Sequence, residues 1–224
     1  MPLPKPLARR APSASDWPSD RQAAALALFP LLRRETSAPD LHSRRVMLRP
    51  PQVSDHAQWR AVRKASREFL QPWEPKWPDD DFTASAWRER MRRYTREASL
   101  GSGHAWFLFL DDGTLAGGIS IGNIRRGVAQ SGQIGYWMGA MHAGKGLMGE
   151  ALGLIVPHAF STLGLHRLEA ACIPGNTRSM RLLEKAGFER EGLMRSYLKI
   201  GGRWQDHYLY ARINGAHQGN GNKT

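Results

Sequence analysis

The chain has 224 residues, one cysteine and a formal net charge of +12. That length allows one domain with a sizeable core, a lone Cys172 excludes an internal disulfide framework, and no apolar run approaches the roughly 20 residues of a membrane span. The charge favours anionic partners: RNA, phosphorylated cofactors or acidic surfaces.

Residues 1–40 read as a basic leader. Five prolines and several small polar residues predict disorder over 1–18. Gln22 to Arg34 has the pattern of a short amphipathic helix, which Pro30 interrupts. It lies too far from the start for a signal peptide, and no small-residue cleavage site follows it. Residues 1–49 carry nine basic and four acidic side chains, a net of +5. Such an arm reads either as a solvated tail or as a contact for RNA or the ribosome.

A domain is expected over 41–213. "RRVMLRP" (Arg44 to Pro50) is a short strand stopped by two prolines. Ser54 is placed to N-cap a helix with Trp59, Val62 and Phe69 on one side. After the turn "QPWEPKWP", Thr83 caps a second helix carrying Trp87, Met91, Tyr94 and Ala98. "HAWFLFL" reads as a buried strand, Asp112-Gly113 as a hairpin turn, and "TLAGGISIGNI" as the returning strand. "QIGYWMG" is a further strand. A helix is expected from Gly146 to Leu163, a strand at "HRLEAACI", and a capped helix at "NTRSMRLLEKAGF" ending at Gly187. "EGLMRSYLKIGGRWQDHYLYARI" is a hairpin turning at Gly201-Gly202, and residues 214–224 read as a disordered tail. The expected class is α/β (α+β), one mixed, mostly antiparallel sheet of about seven strands with flanking helices.

"GAMHAGKG" (Gly139 to Gly146) decides the chemistry. Strand, glycine loop and helix together make an anion site, because free amides and the positive helix end face the ligand. The dipole contributes only ~0.3–1 kcal/mol at an exposed site, so converging amide hydrogen bonds do most of the holding. Lys145 either adds a charge or points to solvent. A nucleoside triphosphate loop needs a Ser or Thr after the Lys to hold Mg²⁺, and Gly146 stands there. "FLFLDD" (Phe107 to Asp112) is no metal-binding strand end, because Gly113 carries it into a turn. His142, His158, His166 and His207 have no ligand spacing, and no metal is expected. What remains is a diphosphate without tightly held Mg²⁺, and coenzyme A is such a ligand.

"AGKGLMGEAL" after "IGYWMG" resembles the acyl-CoA loop of the GCN5-related N-acetyltransferase (GNAT) superfamily. "PGNTRSMRLLEKAGFEREG" resembles its second signature. "REFLQPWEP", "NIRRG" and "GGRWQDHYLYA" resemble the RimJ/RimL branch, which acetylates N-terminal residues of ribosomal proteins. The resemblance runs from about Arg44 to Ile213. Ala143 and Met148 depart from the usual loop pattern, and Leu183 stands where many members have a tyrosine acid.

The resemblance implies that acetyl-CoA lies where the "QIGYWMG" and "HRLEAACI" strands splay into a V. It implies cofactor contacts from Met138, Gly139, Gly144, Lys145, Gly146, Leu147, Met148 and Gly149, with an amide near Met138 polarising the thioester carbonyl. Asn176 flanks the pantetheine arm, N-caps the next helix, or does both. Ser179 is the implied acid for the thiolate, with an ordinary helical serine as the bland alternative. Glu191 is the implied base, acting through water, with a solvated surface glutamate as its alternative. Glu74 and Trp73 are the implied acceptor-pocket residues, and turn packing is the plain reading of both. The implied activity is acetylation of a protein α-amine, on the S5 N-terminal alanine, in the cytoplasm. A small-molecule or antibiotic amine is an alternative acceptor, and a non-enzymatic ribosome- or RNA-binding factor is an alternative use of the fold.

Overall fold

The computed structural model describes residues 38 to 217. The leader up to residue 37, with its expected helix, and the tail from residue 218 lie outside the described residues. Ala38 is buried, and the Pro39 carbonyl accepts the indole N–H of Trp106 at 2.9 Å. At the other end, Gly215–His217 form one 3-10 turn where tail was expected.

Eight strands make one sheet: β1 (Leu41–His42), β2 (Met47–Arg49), β3 (His104–Phe109), β4 (Leu115–Arg125), β5 (Ser131–Met138), β6 (Arg167–Cys172), β7 (Glu189–Ile200) and β8 (Arg203–Ile213). Their order is β1-β2-β3-β4-β5-β6-β8-β7. The two-residue β1 is the strand the sequence did not reveal. Every neighbouring pair is antiparallel except β5 with β6. Helices cover both faces, which explains why β3 reads as an unbroken apolar run. Trp106 and Leu108 enter one core with Leu152 and Ile155, while Phe107 and Phe109 enter a second with Trp59, Trp87 and Met91.

The first expected helix is broken into pieces. Ser54 lies inside a 3-10 turn, Val53–Asp55, rather than at a cap. α1 (His56–Ala65) follows, and α2 (Arg67–Leu70) starts after a break at Ser66. Buried Ser66 explains the break, because its hydroxyl accepts the Ala140 N–H at 2.9 Å and is held toward the turn after β5. α3 (Ala84–Leu100) matches expectation: Thr83 Oγ1 accepts from the Ala86 N–H, and Trp87 and Met91 are buried. α4 (Leu147–Pro157) was expected to run on to Leu163. Its last turn instead widens into a π-helix, His158–Thr162, where Ser161 Oγ donates to the Pro157 carbonyl and Leu163 N–H reaches back five residues to His158. α5 (Thr177–Lys185) is capped by Asn176, whose Oδ1 accepts the Ser179 N–H at 3.1 Å.

The hairpin of β7 and β8 carries two register shifts. In the second, Ser196 adopts φ 47° and donates its N–H to Asp206 Oδ1 at 2.8 Å. Tyr197 Oη then accepts a hydrogen bond from Gln133 on β5 at 3.3 Å. The hairpin turn is tied down by Gly201 N–H, which donates to the Glu74 carbonyl at 3.1 Å.

Candidate active site

The parallel pair β5–β6 is joined only where Ser131, Gly132 and Gln133 face Arg167, Leu168 and Glu169. Beyond that point β5 runs on to Met138 and β6 to Cys172 without pairing. This opening lies where the resemblance implied a V between these two strands. On the β4 side β5 remains paired to its end, and Gly139 N–H donates to the Ala116 carbonyl at 2.8 Å. Successive amides along a strand point to opposite sides. The Met138 N–H therefore points toward β6, into the gap.

The glycine loop lies at the end of β5. Gly144 and Gly146 have φ of 78° and 79°, a conformation that side chains disfavour. Gly146 is the N-cap of α4. The amides from Gly144 to Gly149 take no carbonyl of the described chain, and regular bonding begins with Glu150 N–H donating to the Gly146 carbonyl at 3.2 Å. Leu147 and Met148 bury their side chains, so only their main chain faces a ligand. Lys145 is exposed and, with Arg45 and His142, lines a cavity of about 360 Å³ beside the loop. Gly139 precedes the free amides of the loop. Its amide is occupied in the sheet, and a Cβ there would come within 2.6 Å of Val62.

Ser179 sits on α5, across from β5. Its Oγ lies 2.6 Å from Tyr136 Oη. Strand alternation explains the meeting, because Ile134, Tyr136 and Met138 all pack on the α4 side of β5. Burial pushes the Tyr136 phenol well above its usual range, against a lowering by Ser179. Tyr136 thus remains a neutral hydroxyl. Cys172 ends β6 nearby, and burial raises its thiol as well. Leu183, the position of the missing tyrosine acid, is fully buried core. Tyr136 is not among the expected site residues, although the period-two pattern of "QIGYWMG" puts it on the same side of the strand as Met138.

Glu191 lies on the first bulge of β7, and Arg167 holds both its carboxylate oxygens, Nη1 to Oε1 at 2.8 Å and Nη2 to Oε2. Arg167 also donates to Glu169 at 2.8 Å. The Arg167 guanidinium holds the Glu191 carboxyl below the usual carboxylate range. Leu168, Ala170 and Cys172 enter the core under α4 and α5, so alternation turns Arg167 and Glu169 to the opposite face. Ser179 and the Arg167-bound Glu191 therefore lie on opposite faces of the splayed sheet.

Glu74 borders a small cavity of about 130 Å³ with Tyr94, Ser120, Gly135 and Trp137. Its two oxygens are already engaged. Arg63 donates to them at 2.8 and 2.6 Å, and the Trp77 indole N–H donates at 2.7 Å. Arg63 is buried and stacks on Trp77 and Trp137. The carboxylate therefore organises the pocket wall. Trp73 stands partly exposed in the turn before it.

Residues 45–189 match the family model described as "Acetyltransferase (GNAT) domain". The chain belongs to the GNAT acetyltransferase family. A relative from Bacillus subtilis (strain 168), the probable N-acetyltransferase YjcK, is 37% identical over 78% of this chain and 97% of its own length. The [ribosomal protein uS5]-alanine N-acetyltransferase of Escherichia coli (strain K12) is 36% identical over 71% of this chain and 84% of its own. Among solved structures, Mycobacterium smegmatis RimJ in complex with CoA-disulfide superposes with a TM-score of 0.73 at 34% identity, covering 78% of this chain and 84% of that one. The GNAT fold and the RimJ/RimL type of family are thereby shown, and with them acetyl transfer as the chemistry. Among the described residues, no helix is long and apolar enough to cross a membrane.

Proposed function

We propose that this protein moves the acetyl group of acetyl-CoA to the N-terminal α-amine of a protein, and that the acceptor is a ribosomal protein of the S5-alanine kind. The observation that carries the reading is the run of unengaged amides from Gly144 to Gly149 beside the strand gap at Met138. These groups suit a diphosphate and a thioester carbonyl respectively. The named activity of the E. coli relative supports the choice of acceptor.

Acetyl-CoA supplies the thioester. In this reading the Met138 N–H polarises its carbonyl, and the main chain of Gly144, Lys145, Gly146, Leu147, Met148 and Gly149 holds the diphosphate. Asn176 sets the start of α5 and so positions Ser179. The amine attacks within a ternary complex; a C–N bond forms and the C–S bond breaks. Glu191, through a water, takes the proton that the amine loses. Ser179, backed by the Tyr136 hydroxyl, gives a proton to the departing thiolate. No covalent enzyme intermediate is required. A mild base suffices, because an α-amine has a pKa of ~7.7–8.0 against ~10.4 for a lysine. That gap of about 2.5 units is about 3.4 kcal/mol of deprotonation that an N-terminal acceptor does not demand. A ribosomal acceptor makes the setting cytoplasmic, and the basic leader is a candidate ribosome or RNA contact.

The test is incubation with acetyl-CoA and peptides that begin with Ala or Ser, with free and with blocked α-amines. Turnover on the free amines alone is expected. Turnover on small amines but on no peptide would move the acceptor to small molecules, and salt-sensitive RNA binding without turnover would replace the enzymatic reading.

A further inference from the structure

The amide run at the glycine loop poses a problem for its own ligand. Glu150 lies in the first turn of α4, where a carboxylate is attracted to the same positive helix end as a diphosphate. A free Glu150 would compete for that end and repel the phosphates. The structure shows what restrains it. Ser43 Oγ donates to Glu150 Oε2 at 2.8 Å, and Arg45 Nε donates to Oε1 at 2.5 Å, with Nη2 on the same oxygen. Both residues belong to the tight turn between β1 and β2, closed by Ser43 N–H donating to the Val46 carbonyl at 2.9 Å. Arg45 and then Ser43 hold the Glu150 carboxyl below the usual carboxylate range.

Arg45 makes one more bond. Its Nη1 donates to the Lys145 carbonyl at 3.2 Å. In a trans peptide the C=O of one residue and the N–H of the next point in opposite directions. Drawing the Lys145 carbonyl to Arg45 therefore turns the Gly146 N–H the other way. A Cβ on Gly146 would lie 3.4 Å from Arg45 Nη2, so the guanidinium sits directly against the loop.

We propose that Arg45 is a positioning residue for the diphosphate loop. It aims the Gly146 amide at the ligand and removes Glu150 from competition for the helix end. Arg rather than Lys suits the role, since one planar fork reaches a carboxylate and a carbonyl together. The proposal rests on the acetyl-CoA reading of the loop.

The experiment compares two ligands on the full chain: CoA by calorimetry, and pantetheine, which has no diphosphate, by ligand-observed NMR. Wild type should bind CoA much more tightly than pantetheine. Arg45→Gln should weaken CoA about tenfold, the scale of one charge-assisted hydrogen bond lost, and leave pantetheine unchanged. Adding Glu150→Gln to that variant should recover part of the loss, and Glu150→Gln alone should bind CoA at least as well as wild type. Equal losses for both ligands, or none for CoA, overturn the positioning role. Failure of the double variant to recover any affinity removes the competition argument. If wild type shows no preference for CoA over pantetheine, the loop reading itself fails, separately from Arg45.

Discussion

Tyr136 Oη and Ser179 Oγ lie 2.6 Å apart, one on the splayed end of β5 and the other in the first turn of α5. Either oxygen is able to donate to the other. The pair supplies a hydroxyl where Leu183 supplies none. Ser179→Ala should lower kcat about 100-fold, at the low end of what a positioned acid contributes, while CoA affinity stays near wild type. Tyr136→Phe should cost less, about tenfold, because Ser179 itself remains. Steady-state kinetics with calorimetry checks both. A Tyr136→Phe variant slower than Ser179→Ala would make the phenol the proton donor.

In the proposed mechanism Arg167 sets the working range of Glu191. The pair keeps the carboxylate ionised at and above its ordinary pKa of about 4.3, so the acidic limb of the wild-type rate should lie below that value. Any stability from the pair is likewise present above the ordinary pKa and is lost as pH falls through the lowered one. Arg167→Gln releases Glu191 toward its ordinary value and should shift the acidic limb upward. The rise through the acceptor amine near pH ~7.7–8.0 should stay in place. Glu191→Gln should reduce turnover on an N-terminal peptide at neutral pH with little change in acetyl-CoA affinity. Rates equal to wild type from pH 6 to pH 8 would take Glu191 out of the mechanism.

Gly144→Val tests the loop directly. The space around a Cβ at Gly144 is open, so the fold should survive, but the left-handed backbone costs about 1–2 kcal/mol and the branched side chain crowds the phosphates. Calorimetry should show CoA binding weakened by tenfold or more, and an unchanged Kd would place the diphosphate elsewhere.

Arg63 and Glu74 form a largely buried pair under Trp77. Removing one partner strands the other, at a cost of about 3–5 kcal/mol in comparable buried pairs. Arg63→Met should therefore lower the urea midpoint by more than any active-site variant above, followed by tryptophan fluorescence. A stability loss below that of Ser179→Ala would show that the pair contributes little to the fold.

Elements with a strong local pattern were legible from sequence alone. Thr83 and Asn176 cap the helices assigned to them, and the Gly201-Gly202 turn joins the last hairpin. The splay and the glycine loop also lay where the motifs put them. Failures came where a distant residue overrode local preference. Ser66 breaks the first helix because it serves Ala140, 74 positions away. Glu74 reads either as a shaper of the pocket or as turn packing, and its bonds to Arg63 and Trp77 beside the cavity serve both. The Gly139 amide, read from sequence as part of the loop, also completes the sheet edge through Ala116, 23 positions earlier. Arg45 and Tyr136 escaped notice because their partners, Glu150 and Ser179, are far along the chain.

Among the described residues, one main-chain bond, from the Gly201 N–H to the Glu74 carbonyl, joins the last hairpin to the turn after α2. A change of length in either segment drags the other with it. Under the proposed reading of Glu74 as an acceptor-pocket residue, a graft of one segment alone should therefore displace Glu74, whereas a graft of both as a matched set should keep it in place.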